Sequence, residues 1–310
     1  MNESWIAEAR RGLLERARGD KSWGYQLRSR GEVEPTALAA LALEAAHALA
    51  PSVNEAESRR EQAAVSDALA WLAAHQGNDG AVRASMSAAP GEPAWATPLA
   101  LRAWSLSEDF AEPRRRAVAW LLNRVGKIIP KDSPDVRIVG HDLTIVGWPW
   151  VEQTHAWLEP TAYALIALRG EAIATHPRIE AGLRLIDNRA LPSGGWNYGN
   201  SLVLGRALRP QPAPTGVALV ALAGQPRTPT IDRALAYLQQ KWPMIEAPAS
   251  MSWSVLGLDA WGERPRDADS RLARTFQAIQ SRDDAATRLA LLLLAGLEGS
   301  AGFLMRGPTR

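Results

Sequence analysis

The 310-residue sequence predicts an all-α fold: an α/α toroid of six helix pairs, about twelve helices, closed within one domain over residues 1–310. Three observations predict it. A small or hydroxyl residue, often beside proline, recurs six times at the head of an Ala/Leu-rich apolar run. Six amphipathic segments alternate with those runs. No segment carries a convincing two-residue strand period.

The apolar runs open at Pro35-Thr36, Thr97-Pro98, Pro160-Thr161 and Pro214-Thr215, then in weaker copies at Ser254 and Thr287. Successive hydroxyl residues are 61, 64, 54, 39 and 33 positions apart, so the connections shorten toward the C-terminus while the unit persists. Proline in the first turn with threonine beside it is helix-start chemistry. Helices apolar nearly all round are expected to be buried.

The amphipathic segments are Trp5 to Ala17, Glu57 to His75, Pro113 to Gly126, Pro177 to Arg189, Pro229 to Lys241 and Asp267 to Gln280. In the second, Ala64, Val65, Ala68, Leu69, Trp71 and Leu72 share one helical face, with Arg59, Arg60, Glu61 and Asp67 directed away. Burying an apolar ring of helices behind an amphipathic one gives the toroid. Each apolar helix finds cover only between neighbours, which argues for one domain, with two independent halves of three repeats each as the alternative.

Composition excludes several chemistries. There is no cysteine, hence no disulfide, thiolate nucleophile, Fe–S cluster or sulfur-ligated zinc site. Thirty-five Lys and Arg against 33 acids leave a net charge of +2, and the short runs Arg10-Arg11 and Arg114-Arg115-Arg116 read as solvated helix faces, so no nucleic-acid partner is expected. The first 21 residues alternate charges and contain no apolar h-region. The longest apolar run, Leu289 to Leu297, is far shorter than a bilayer span. A cytoplasmic protein without a cofactor is the expectation, with peripheral membrane contact left open.

Thirteen Trp stand beside three Phe and four Tyr. They concentrate ahead of the apolar runs: Trp23 and Tyr25, Trp95, Trp148, Trp150 and Trp157, Trp196 and Tyr198, with Trp253 beside Ser254. Indoles around a dry cavity suit an apolar small molecule, an isoprenoid or other lipid, and would stabilise a cation through their π faces. The alternative is that they staple connections to helix ends.

Two connections share a further pattern. Asp67 to Val82 (DALAWLAAHQGNDGAV) carries an aromatic-Leu pair, Gln76 and Asp79-Gly80, and Ala181 to Gly199 ends in Gly194-Gly195-Trp196 and Tyr198-Gly199. This resembles the Gln-Trp repeat of squalene-hopene and oxidosqualene cyclases and the related repeat of protein prenyltransferase β-subunits. The resemblance implies an α/α toroid and an isoprenoid substrate. The chain departs from those families in its chemistry: there is no Asp-x-Asp-Asp motif, Asp283-Asp284 is followed by Ala, Ala and Thr, and the cysteine ligand of prenyltransferase zinc is absent.

The segment Asp135 to Thr161 gathers the remaining candidate groups: His141, Asp142, Glu152, His155 and Glu159, with Trp148, Trp150 and Trp157. Long connections in compact domains are commonly functional. Asp142 is the first choice for a buried acid, with Glu152, His155 or Glu159 tuning its protonation. Glu159 matches Glu34 of the first copy, and both could complement a helix N-terminus. The His and acid residues fit no standard metal-site spacing, so no metal is assigned. Four functions follow: an isoprenoid enzyme of cyclase or transferase type, a non-catalytic lipid-binding module, a carbohydrate-active α/α barrel, or a scaffold for another protein.

Overall fold

A computed structural model of the chain describes residues 2–52, 54–84, 93–134, 140–171, 173 and 175–306. Among them are thirteen α-helices: α1 (Asn2–Glu15), α2 (Val33–Leu49), α3 (Glu55–Ala74), α4 (Thr97–Trp104), α5 (Ala111–Asn123), α6 (Leu158–Arg169), α7 (Pro177–Asn188), α8 (Pro212–Leu222), α9 (Pro229–Lys241), α10 (Pro248–Asp259), α11 (Ala268–Ile279), α12 (Ala286–Gly296) and α13 (Ser300–Arg306). Even-numbered helices α2 to α12 contain the six apolar runs. Odd-numbered helices α1 to α11 are the six amphipathic segments, and α13 is an additional short helix.

The burial pattern separates the two classes. Every residue of α4, and Pro214 through Leu222 of α8, is buried. In α11 only Ala268, Leu272, Phe276 and Ile279 are buried, a stripe one turn apart at each step. The apolar helices therefore form the core and the amphipathic ones cover it.

The chain divides into two compact units: Met1–Trp120 with Arg266–Arg310, and Leu121–Pro265. In the first, α2 packs against α3, α4 and α12, while α1 packs on α11 and α12. The buried Arg102 of α4 donates from Nε to the Leu304 carbonyl and from a terminal nitrogen to that of Phe303, fixing α13. In the second unit α8 packs against α6, α9 and α10, and α7 against α6. The approach of α8 to α10 requires glycine: a Cβ on Gly216 would lie 2.1 Å from the Trp253 carbonyl oxygen, and one on Gly257 2.8 Å from Gly216 Cα.

Two expectations are corrected here. Arg10 and Glu61, read as outward-facing charges, have side chains only 7% and 4% exposed. Arg10 Nε donates to Glu61 Oε1 at 2.7 Å, a terminal nitrogen donates to Oε2, and the other caps the Ala50 carbonyl at 2.6 Å. A bidentate pair between α1 and α3 lets both charges leave water. The chain also contains strand, a two-stranded hairpin of Leu202–Val203 with Arg206–Ala207 inside the α7–α8 connection. It pairs only two residues on each side, too few to give a periodic signal.

Candidate functional site

The recurring threonines organise the connections that lead into the core helices. Thr36, Thr97, Thr161 and Thr215 are fully buried. Each hydroxyl accepts from one upstream amide, and three donate back to the carbonyl of the same residue: Trp23 (3.0 and 3.2 Å), Trp148 (3.1 and 3.4 Å) and Trp196 (3.0 and 3.2 Å), whereas Thr97 accepts from the Val82 amide at 2.9 Å and has the Ala94 carbonyl, at 2.8 Å, as a nearer acceptor than that of Val82 at 3.2 Å. A buried connection needs partners for its backbone polar groups, and these hydroxyls supply them.

The clamped tryptophans reach back to the preceding amphipathic helix. Trp23 Nε1 donates to the Leu13 carbonyl at 2.8 Å, Trp148 to Leu121 at 2.9 Å and Trp196 to Ile186 at 2.7 Å. These three indoles of the proposed ligand-binding set are thus staples, at most 3% exposed. Arg178 adds a cation over the Trp148 ring, 4.1 Å from its centroid. The Gln-Trp-like connections pack on a later helix as well. Gln76 Nε2 donates to the Gly80 and Pro113 carbonyls, and Gly80 and Gly194, with φ of +90° and +92°, lie against the backbone of Arg116 and Arg233.

The remaining aromatic residues are more accessible. Tyr25 and Tyr198 are exposed, while Trp95, Trp150 and Trp157 are partly exposed. Trp157 donates its amide to the Trp148 carbonyl at 3.1 Å, and Leu158 donates to that of Tyr198 at 3.1 Å, so these two connections are joined. Trp253 is buried on α10 and meets Tyr163 of α6 with ring centroids 6.0 Å apart and planes tilted by 50°. Tyr163 lies one turn beyond Glu159, in the first half of α6. The structure thus brings Trp148, Trp157 and Tyr198 together, and sets Trp253 with Tyr163.

The candidate acids go to separate partners. Asp142, expected as a buried acid, has a side chain 29% exposed, and its Oδ1 accepts from Thr144 through the amide at 2.8 Å and the hydroxyl at 2.6 Å. Those bonds, with Lys131 at 3.7 Å, hold the Asp142 carboxyl below its ordinary range despite partial burial, so it is a carboxylate rather than a proton reservoir. Its backbone amide accepts no proton but donates to Asn188 Oδ1 at 3.2 Å, and its carbonyl receives Arg189 at 3.1 Å. Burial lowers that guanidinium to about 10, leaving it cationic at neutral pH.

Glu152 pairs with Arg124 at 2.6 Å beside a surface cleft of about 550 Å³. His155 is partly buried, and its Nδ1 has no hydrogen-bond partner among the described residues. Glu159 occupies the first turn of α6. Residues 135–139, the head of the segment singled out above, lie outside the described residues. Among the described residues no group of three His, Asp or Glu is placed to hold a metal ion.

One acid comes forward that the sequence placed only as a helix-start residue. Glu34, in the first turn of α2, accepts a hydrogen bond from the Tyr25 hydroxyl. Burial pushes its pKa up, with the Tyr25 bond partly opposing the shift; burial and the two nearby glutamates push the Tyr25 hydroxyl up. Tyr25 stands two residues after clamped Trp23 and Glu34 two before Thr36; Trp150 and Glu159 hold the matching places around Trp148 and Thr161.

No family model and no curated protein sequence matches the chain. Solved structures do. A variant of type II terpene cyclase MstE from Scytonema, in complex with geranylgeranyl dihydroxybenzoate, is 13% identical, covers 97% of each chain and gives a TM-score of 0.61. A protein from Actinoplanes is 21% identical, with 92% of this chain and 82% of that chain covered and a TM-score of 0.55. An inactive variant of an alpha-1,6-mannanase from Salegentibacter, bound to alpha-1,6-mannotriose, is 11% identical, with 97% and 99% covered and a TM-score of 0.57. The chain has the α/α-toroid fold of these proteins.

Proposed function

We propose that the chain is an isoprenoid-handling protein of the squalene cyclase and prenyltransferase type, holding a polyisoprenoid or similar apolar ligand against aromatic residues of its core helices. The observation that carries this reading is the Tyr163–Trp253 pair, two aromatic rings meeting between α6 and α10. Aromatic faces contribute apolar area and a π surface without fixed charge, which matches a hydrocarbon chain. The likeness to a terpene cyclase bound to a geranylgeranyl compound supports the same ligand class.

The mannanase has the same fold, so the fold does not choose between the two ligand classes. The acids favour the isoprenoid. Glycoside hydrolysis uses two carboxyl groups flanking one bond, whereas here Asp142 is engaged by Thr144 and Lys131, and Glu152 by Arg124.

Within the cyclase-type reading, Asp142, Glu152, His155 and Glu159 remain the proposed acid and base groups. Protonating an alkene requires a neutral carboxylic acid whose conjugate base is well stabilised. An aspartate at its ordinary value has already lost its proton at neutral pH, and the hydrogen bonds at Asp142 shift it further toward the carboxylate. Binding, or a gentler proton transfer, therefore ranks above proton-initiated cyclisation.

The test is native mass spectrometry of freshly purified protein, followed by incubation of wild type, Asp142→Asn and His155→Ala with farnesyl- to squalene-length isoprenoids. A retained lipid with turnover lost in the variants supports an enzyme. A lipid retained equally by all three, without turnover, makes the protein a binding module. Binding of an oligosaccharide and no lipid overturns the proposal.

A further inference from the structure

The hairpin in the α7–α8 connection carries a residue that its backbone does not favour. Val203 pairs with Arg206, which leaves Leu204 and Gly205 as a two-residue loop with φ of +49° and +77°. Positive φ at both central positions is the type I′ geometry, where Asn-Gly or Gly-Gly is the usual choice. Leucine there has an unfavourable left-handed backbone, and the residue is also 79% exposed, the most of any large hydrophobic residue described. The tip is clear of the rest of the protein: a Cβ added to Gly205 would find no atom within 4 Å. Two separate costs thus fall on one apolar side chain that touches little of its own fold.

The surroundings of Leu204 point to what it meets. The connection from Trp196 to Gln211 contains Arg206 and Arg209, both exposed, and no acidic residue. Tyr198, in the same connection, is 49% exposed. An apolar tip, a tyrosine with one polar end and unopposed arginines match the lipid–water interface, where leucine enters the acyl boundary and cations meet anionic headgroups. A partner protein would equally accept leucine, but it gives no reason for a connection without acids.

We propose that the Leu202–Ala207 hairpin docks the protein on an anionic lipid surface, with Leu204 inserted and Arg206 and Arg209 at the headgroups. This inference stands whether or not the protein handles an isoprenoid.

The experiment is co-sedimentation of the full-length protein with phosphatidylcholine vesicles and with mixed phosphatidylcholine–phosphatidylserine vesicles, at low and raised salt. Wild type is expected to bind the mixed vesicles, less so as salt rises. Leu204→Asn suits the turn better, so it should keep the fold and unfold no earlier than wild type, yet bind about tenfold more weakly for want of the apolar side chain. Arg206→Gln with Arg209→Gln should lose binding to the mixed vesicles alone. The proposal is overturned if wild type binds neither vesicle, or if Leu204→Asn binds as wild type does. It is equally overturned if Leu204→Asn abolishes self-association seen by sedimentation velocity, with no vesicle binding, since the tip then meets a second copy of the chain.

Discussion

The hydroxyl of Thr36 holds both backbone polar groups of Trp23, accepting from its amide at 3.0 Å and donating to its carbonyl at 3.2 Å, across thirteen residues of sequence. One side chain thereby fixes where the α1–α2 connection enters the core, and the Trp23 indole fixes it again from the other side through the Leu13 carbonyl. Thr161 with Trp148 and Thr215 with Trp196 repeat the device. Part of the tryptophan surplus is therefore architectural, because an indole combines a large apolar body with the donor that a buried helix end needs.

Replacing Thr215 by Val keeps the shape and removes the clamp. The buried amide and carbonyl of Trp196 then lose a partner each, at a cost of roughly 1–3 kcal/mol. Thr287, in one of the weaker copies, is the internal control: its hydroxyl is buried with no hydrogen-bond partner among the described residues, so Thr287→Val should be neutral or stabilising. Urea unfolding midpoints compare the two, and equal losses would refute the clamp as a source of stability.

Gly194→Ala should destabilise far more than an ordinary surface substitution. A Cβ would stand 2.5 Å from the Arg233 carbonyl oxygen at a residue with φ of +92°, so both the backbone and the neighbouring helix must shift. A loss of about 1–3 kcal/mol is expected by thermal or urea unfolding, against little change for Gly262→Ala in stability terms beyond its own positive φ, since nothing lies within 4 Å there.

The helices were legible in the sequence because period and helix-start chemistry agree. The segment read as Pro229 to Lys241 is the observed α9, and the four strong hydroxyl copies are the four clamps, whereas the weaker Ser254 and Thr287 make no such clamp. What sequence patterning could not reveal was pairing between distant residues. Arg10 and Glu61 are 51 residues apart, and each alone looks like a solvent-facing charge. Glu34 was placed correctly at a helix start, but its burial and its bond to Tyr25 depend on a turn without periodicity. Asp142 stood out by composition, and its Thr144 bonds decide its protonation state instead.

Glu34 gives a pH prediction with a definite sign. Burial raises its folded pKa above the ordinary 4.5, so the folded state binds more protons between the two values. Its contribution is fully present below the unfolded value and is lost as pH rises through the folded one. Unfolding midpoints of wild type should fall across that window relative to Glu34→Gln, which lacks the titration. Asp142 acts oppositely: its pKa is lowered, so its contribution is present above the ordinary 3.8 and lost as pH falls through the folded value. Tyr25→Phe should widen the Glu34 window upward by removing the bond that opposes burial, observable as a higher Glu34 pKa by NMR.

The Arg10–Glu61 pair separates the cost of breaking a buried ion pair from the worth of having it. Both side chains are less than a tenth exposed, and Arg10 also caps the Ala50 carbonyl at the end of α2. Glu61→Leu leaves a buried guanidinium without its counter-charge, which costs about 3–5 kcal/mol in comparable sites. Arg10→Met strands the carboxylate instead and should cost a similar amount, plus the lost cap. With both partners replaced, Arg10→Met and Glu61→Leu, no charge is stranded and apolar contacts fill the space, so the double variant should be more stable than either single one and within about 2 kcal/mol of wild type. A double-mutant cycle from urea unfolding measures the coupling. Additive single losses would mean that Arg10 and Glu61 stabilise the fold through separate contacts rather than through each other.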